Sequence, residues 1–202
     1  MRRPTLLFDL DGTLTDARPG IVACIRRAVE GMVRPCPDDD ALAAFIGPPL
    51  RGTFATLLQT TDRDRIEAAM ALYRERFGVT GLFENRVYDG IPEMLAAVGS
   101  RAQAAFVATS KPTMYAERIV RHFDLARHFA GVYGTELDAR LDDKAVLLAR
   151  LMECEGIARG AAVMSASCGR PAPPCSAPSL ARLPPASRDD ERRHGRAGAA
   201  RA

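Results

Sequence analysis

The chain has 202 residues, 47% of them hydrophobic, with 28 Lys plus Arg against 25 Asp plus Glu, five Cys and no Trp. That composition excludes disordered, collagen-like and disulfide-framework classes, and the length suits one domain or a core carrying one large insertion. The formal charge of +3 is unevenly placed: residues 165–202 hold seven Arg and three acids, which leaves 21 bases and 22 acids for residues 1–164.

In chain order, Thr5 to Leu10 (TLLFDL) is short and almost continuously apolar before it meets Asp and Gly, the pattern of a buried parallel strand ending in a functional loop. From Pro19 to Gly78 the period becomes helical. Ile21, Ile25, Val29 and Met32 share one face behind Pro19; Leu50, Phe54, Leu57 and Leu58 follow. Ile66, Met70, Tyr73 and Phe77 form a third stripe, opened by Asp62 as N-cap and closed by Gly78. This insertion is far longer than an ordinary connection and is expected to form a small domain of its own. After Tyr88-Asp89-Gly90, strands and helices alternate: Pro92 to Val98 helical, Ala104 to Ala108 a strand, Pro112 to Phe123 helical, Gly131 to Gly134 a strand, Asp143 to Glu155 helical and Ala161 to Met164 a strand. The rhythm predicts an α/β fold with a doubly wound parallel sheet, its site beyond the carboxyl ends of the strands.

No run approaches the ~18 apolar residues of a membrane span, and nothing near the N-terminus resembles an export signal. The cysteines form no CxxC, and their odd number suits a reducing compartment, so a cytoplasmic enzyme is expected.

Three loops carry chemistry-bearing residues. Asp9 and Asp11 stand two residues apart at a strand end, so their side chains leave the same side of the backbone. Two such carboxylates repel unless a cation lies between them or one holds a proton. This suits Mg²⁺, one carboxylate as nucleophile and the other as acid or base. Gly12 allows a tight turn with its amide facing a phosphate oxygen. The alternative is a strand-end turn that merely uses Asp and Gly. A Ca²⁺ loop fits less well, because Gly12 is fourth rather than sixth in the loop. Thr109, Ser110 and Lys111 precede Pro112, where hydroxyls and amides at a helix start suit phosphate; an N-cap is the alternative. Lys144 opens a later helix, placed either to neutralise phosphate and carboxylate charge or as a solvated helical lysine. His122 and His128 have no supporting acid or Cys pattern and are expected at the surface or at helix ends.

The DxDGT loop after the first strand, Thr-Ser after the second, Lys after the third and a helical insertion behind the first loop together resemble the haloacid dehalogenase superfamily, over residues 5–164. FIGPPLRGTF (Phe45 to Phe54), GLFENRVYDGIPEML (Gly81 to Leu95) and VATSKP (Val107 to Pro112) look closest to the phosphoglycolate phosphatase type, in its bacterial 5′-nucleotidase-like branch. The resemblance implies a core of residues 1–16 and 88–164 and a helical cap of residues 17–87. It implies Asp9 as nucleophile forming an aspartyl-phosphate and Asp11 as acid and then base. Gly12, Thr109 and Ser110 would bind phosphate and Lys144 would hold Asp9 and the phosphate. Mg²⁺ would sit on the Asp9 carboxylate and the Asp11 main-chain oxygen. Gly47, Pro48 and Arg51 lie where family caps reach over the site; a helix breaker followed by a surface Arg is the alternative. The implied partner is a small phosphorylated metabolite, with no nucleic acid and no membrane, and with the oligomeric state open.

The resemblance stops after Met164. The family pattern continues into Gly-Asp and a second Asp, but no acid occurs here between Glu155 and Asp189. The last strand and helices of the core are therefore expected to be missing, leaving β-edge exposed and Mg²⁺ weakly held. Residues 165–202, rich in Ala, Pro, Arg, Ser and Gly, are expected to be disordered. Such a composition is typical of out-of-frame reading of a GC-rich gene, and a frameshift near Met164 predicts that shifting the frame restores an apolar-Gly-Asp motif. Nucleotide sequence lacking that motif in both other frames removes the idea. Two further readings follow: a non-catalytic phosphate-ligand binder or degraded product, and a nucleic-acid contact through the tail, which its lack of aromatic interleaving disfavours.

Overall fold

The computed structural model describes residues 3–136 and 143–166 and the backbone of 180–182. Five strands form one sheet in the order β5-β4-β1-β6-β7, comprising β1 (Thr5–Phe8), β4 (Ala104–Pro112), β5 (Gly131–Thr135), β6 (Ala162–Ser165) and β7 (Leu180–Arg182). β1 is central and parallel to both neighbours, with Phe8 opposite Val107 on one side and Ser165 on the other. β5 runs parallel to β4, and β7 antiparallel to β6. The carboxyl ends of β1, β4 and β6 thus meet at one rim, where the loops after them face one another.

Period-two alternation decides what each face buries. Phe8, Ala105 and Val107 join one apolar cluster with Ile91 and Leu95 of α5 (Ile91–Gly99) and Tyr115, Ala116, Ile119 and Val120 of α6 (Thr113–His122). Leu7, Phe106 and Ala108 face the other way, onto Leu151 of α7 (Lys144–Cys154) and the β6 residues Ala162 and Met164. The predicted doubly wound α/β arrangement is what the chain adopts.

Between β2 (Thr15–Asp16) and β3 (Arg86–Val87), which pair antiparallel, lie α1 (Arg18–Gly31), α2 (Asp39–Ala43), α3 (Leu50–Leu58) and α4 (Arg63–Arg76). Pro19 sits in the first turn of α1 as predicted, and Ile25 and Val29 are fully buried. Asp62 caps α4, accepting from the amides of Asp64 and Arg65. α4 ends at Arg76 with Phe77 as its C-cap, in keeping with the predicted stop at Gly78, but the chain then continues as a π turn, Phe77–Gly81. The reason is tertiary. A side chain on Gly81 would meet Cys24 Sγ at 2.4 Å, and one on Gly20 would meet the Gly81 carbonyl oxygen at 2.0 Å, so α1 and the π turn touch backbone to backbone at the second glycine, not the first.

The helical insertion packs directly on the rest of the chain: its buried residues, Ile25, Phe54, Tyr73 and Phe77 among them, belong to the same cluster as Phe8, Val107 and Tyr115. One further expectation is corrected: β6 is not the edge of the sheet, since Leu180–Arg182, within the stretch expected to be disordered, pairs with it through Ser165↔Leu180 and Val163↔Arg182. Backbone hydrogen bonding needs no apolar side chains, which is why composition did not signal it. The rest of the tail lies outside the described residues.

Candidate active site

β1 delivers Asp9 to the rim. Its amide donates to Ser165 O at 3.0 Å, tying it to the end of β6, and its Oδ1 accepts from Leu10 N at 2.8 Å. The next turn closes on a single acceptor, Leu10 O, which receives the amides of Thr13, Leu14 and Thr15, while the Leu10 and Leu14 side chains are fully buried beneath it. Gly12 has φ of 75°, a left-handed conformation that a side chain would strain. Its amide, expected to face a phosphate oxygen, instead donates to Thr15 O at 2.7 Å and is consumed by the turn.

Lys144, the first residue of α7, reaches across to pair with Asp9 Oδ2. It is positioned by the helix cap beneath it, where Asp143 accepts from Ala145 N at 2.7 Å. Lys144 and Asp9 are thus brought into contact, while Asp11, two residues on, has a different partner. The group after β4 differs from expectation. β4 extends to Pro112 with a register shift between Ala108 and Pro112, so Thr109, Ser110 and Lys111 form an irregular strand end rather than a helix start. Neither hydroxyl caps α6, whose N-cap is Pro112. Thr109 is buried, its Oγ1 accepting from Lys111 N at 3.3 Å; Ser110 is exposed, its carbonyl accepting from Thr135 Oγ1 at 3.0 Å.

The residue that the sequence noted without a role is Lys111. Its Nζ lies 2.9 Å from Asp11 Oδ2, and its side chain is 7% exposed. No pattern in the sequence marks it, because its surroundings come from the strand irregularity and from the π turn. Asp11 Oδ1 and Ser165 Oγ are buried with no hydrogen-bond partner. Under this corner Tyr73, Phe77 and Tyr115 pack ring on ring. Burial pushes the Tyr73 hydroxyl well above its usual range and raises the Cys24 thiol too, so both stay protonated and neutral beside the charged groups.

The residues expected to reach over the site are elsewhere engaged or open. Arg51 pairs with Glu67, linking α3 to α4. Gly47 and Pro48 are exposed in the bend before α3, with no atom within 4 Å of where a Gly47 side chain would start. His122 ends α6 and packs its ring against Phe83 at 4.4 Å, and His128 closes a 3₁₀ turn, as expected for helix ends.

Mg²⁺ is a hard cation that keeps several waters and commonly uses one or two carboxylates plus substrate phosphate. The oxygen donors at this rim fit that chemistry, with Asp11 Oδ1 the carboxylate oxygen left without a partner. Among the described residues, no group of three or more His, Cys, Asp and Glu could hold a metal.

Two carboxylates at a strand end, each paired with a lysine from a different element, give a charged rim where an anion can be held. The chain is 48% identical over 160 residues to a 5′-nucleotidase of Pseudomonas aeruginosa, covering 78% of this chain and 71% of that protein. It is 34% identical over 147 residues to the tyrosine-protein kinase PtkA of Mycobacterium tuberculosis, covering 73% of this chain but only 50% of the kinase. Among solved structures, a predicted phosphatase from Clostridium acetobutylicum superposes with a TM-score of 0.73 at 35% identity, over 81% of this chain and 76% of that one. Residues 6–164, from the first strand through the last parallel one, match the haloacid dehalogenase-like hydrolases, and the chain belongs to that family.

Proposed function

We propose that the chain is a phosphoric monoester hydrolase acting on a small phosphomonoester, a nucleoside 5′-monophosphate ahead of phosphoglycolate. The observation that carries this reading is the pair of lysine-held carboxylates, Asp9–Lys144 and Asp11–Lys111, at the carboxyl ends of β1 and β4. The preference for a nucleotide rests on the similarity to the Pseudomonas 5′-nucleotidase.

An Asp9 carboxylate oxygen attacks phosphorus in line with the ester oxygen; the P–O bond to the leaving group breaks, and Asp11 gives its proton to the departing oxygen. Asp11, now a carboxylate, takes a proton from water as that water attacks the aspartyl-phosphate. The phosphorus–Asp9 oxygen bond breaks and phosphate leaves. Lys144 stabilises negative charge on Asp9 and on the phosphoryl oxygens, and Thr109 and Ser110 hold the phosphoryl group; phosphoryl transfer needs such positioning and cationic surroundings more than elaborate covalent steps. Asp9 through its carboxylate and Asp11 through its main-chain oxygen would hold Mg²⁺, which when bound neutralises charge on the phosphoryl oxygens.

The lack of any acid between Glu155 and Asp189 favours one other reading, a phosphate-ligand binder that uses the same residues without turnover. Purified chain incubated with p-nitrophenyl phosphate and with AMP, with and without Mg²⁺, separates the two. Mg²⁺-dependent phosphate release, saturating only at high metal concentration, is expected. A folded chain that binds AMP and releases no phosphate at any Mg²⁺ concentration would overturn the hydrolase reading.

A further inference from the structure

A lysine taken from water needs a partner, and Lys111 has its ammonium held on two sides. Asp11 Oδ2 lies at 2.9 Å, and the Phe77 ring lies beneath, its centroid 4.6 Å from Nζ. Phe77 opens the π turn and is itself fixed, stacked on Tyr73 at 5.4 Å and met by the Tyr115 edge at 5.2 Å. The Lys111 backbone is fixed as well: its amide donates to Thr109 Oγ1, and its carbonyl lies where a Gly134 side chain would come within 2.3 Å. The irregular end of β4, strand β5 and the π turn therefore all locate this one side chain.

That has a consequence for Asp11. A carboxylate with both oxygens free turns about its last torsion, which is broad and roughly two-fold. With Oδ2 bound to a buried ammonium the rotation stops, and Oδ1, buried and without a partner, is the oxygen left to carry a proton. Asp9 differs in that each of its oxygens already accepts one hydrogen bond, from Leu10 N and from Lys144. We propose that Lys111 is a positioning residue: with Oδ2 accepting from its ammonium, Asp11 carries the catalytic proton on Oδ1 and is aimed to give it to the leaving oxygen as the P–O bond breaks, and Phe77 of the π turn holds Lys111 in place to do so. This rests on the phosphatase reading above.

The chemistry supplies a selective readout. p-Nitrophenolate leaves without a proton, whereas the ribose alkoxide of AMP needs one, so a misdirected Asp11 penalises AMP alone. In the full chain, Lys111→Met keeps most of the apolar stem and removes the charge. It is expected to lower kcat for AMP by about 10²-fold more than kcat for p-nitrophenyl phosphate, within the usual range for acid catalysis, with KM little changed. Lys111→Arg recovers part of the AMP rate, and Phe77→Leu reproduces the selective defect in weaker form. Equal loss on both esters, or a loss confined to KM, overturns the proposal. Should the wild-type chain release no phosphate from either ester, it is the phosphatase reading that fails. Melting temperatures then judge the Lys111–Asp11 contact: Asp11→Asn combined with Lys111→Met is expected to melt no lower than Lys111→Met alone, and additive losses overturn it.

Discussion

Asp9→Asn is expected to abolish phosphate release, lowering kcat/KM by at least about 10³-fold for every ester tested, while the protein stays folded. An amide oxygen is a far poorer nucleophile than a carboxylate, and a phosphorylated amide would not hydrolyse as an acyl phosphate does. The structural cost is small for a definable reason. Asn keeps an oxygen to accept from Leu10 N, as Asp9 Oδ1 does at 2.8 Å, and the strand-end bond from the Asp9 amide to Ser165 O is untouched. What is lost is the ion pair with Lys144, whose side chain is 31% exposed and can turn to solvent. Pairs of that exposure contribute about 1 kcal/mol or less.

Two measurements check this together. Steady-state rates with AMP and p-nitrophenyl phosphate should fall to background in Asp9→Asn, and acid quenching during turnover of ³²P-labelled AMP should trap label on the wild-type chain and none on the variant. Residual turnover above one-hundredth of wild type, with the fold intact, would place the nucleophile elsewhere. Asp11 stands two residues on, but its Oδ2 is already committed to Lys111.

Asp9 and Asp11 were legible in the sequence as a candidate site because their placement is local: a continuous apolar strand followed by Asp-Leu-Asp-Gly reads as a strand end bearing two acids. Lys144 was legible through its order along the chain, and the stripe Ile66, Met70, Tyr73 and Phe77 through the helical period. What failed to show depends on contacts between distant segments. Gly78 and Gly81 are equivalent as local signals for a helix end; only the approach of Gly20 from α1 selects the second. Arg51 lies in a motif that suggests an anion contact, yet Glu67 from the neighbouring helix takes its charge. Lys111 is one more polar residue after a Thr-Ser pair until β4 shifts register and the π turn brings Phe77 under it. The Gly12 amide was expected to face phosphate, and the turn itself uses it.

The same backbone contact that seats the π turn beyond Gly78 yields the largest expected loss of stability. Gly20→Ala would place a methyl group 2.0 Å from Gly81 O, 2.8 Å from Glu84 O and 3.0 Å from Gly81 C. All three are main-chain atoms, so no side-chain rotation relieves the clash; α1 or the π turn must shift, and the bond from Gly20 N to Glu84 O, 2.9 Å long, is strained with it. Overpacking of this kind costs about 3 kcal/mol or more, a large share of the stability of an ordinary domain. Urea unfolding should show the midpoint falling accordingly. Gly52→Ala in α3 is the control: nothing lies within 4 Å of its new methyl, and helix propensity predicts a gain of about 0.5–1 kcal/mol. A Gly20→Ala chain as stable as wild type would mean that the π turn is not seated on α1. If the variant folds at low temperature, displacement of the π turn carries Phe77 away from Lys111, and its remaining activity should fall further with AMP than with p-nitrophenyl phosphate.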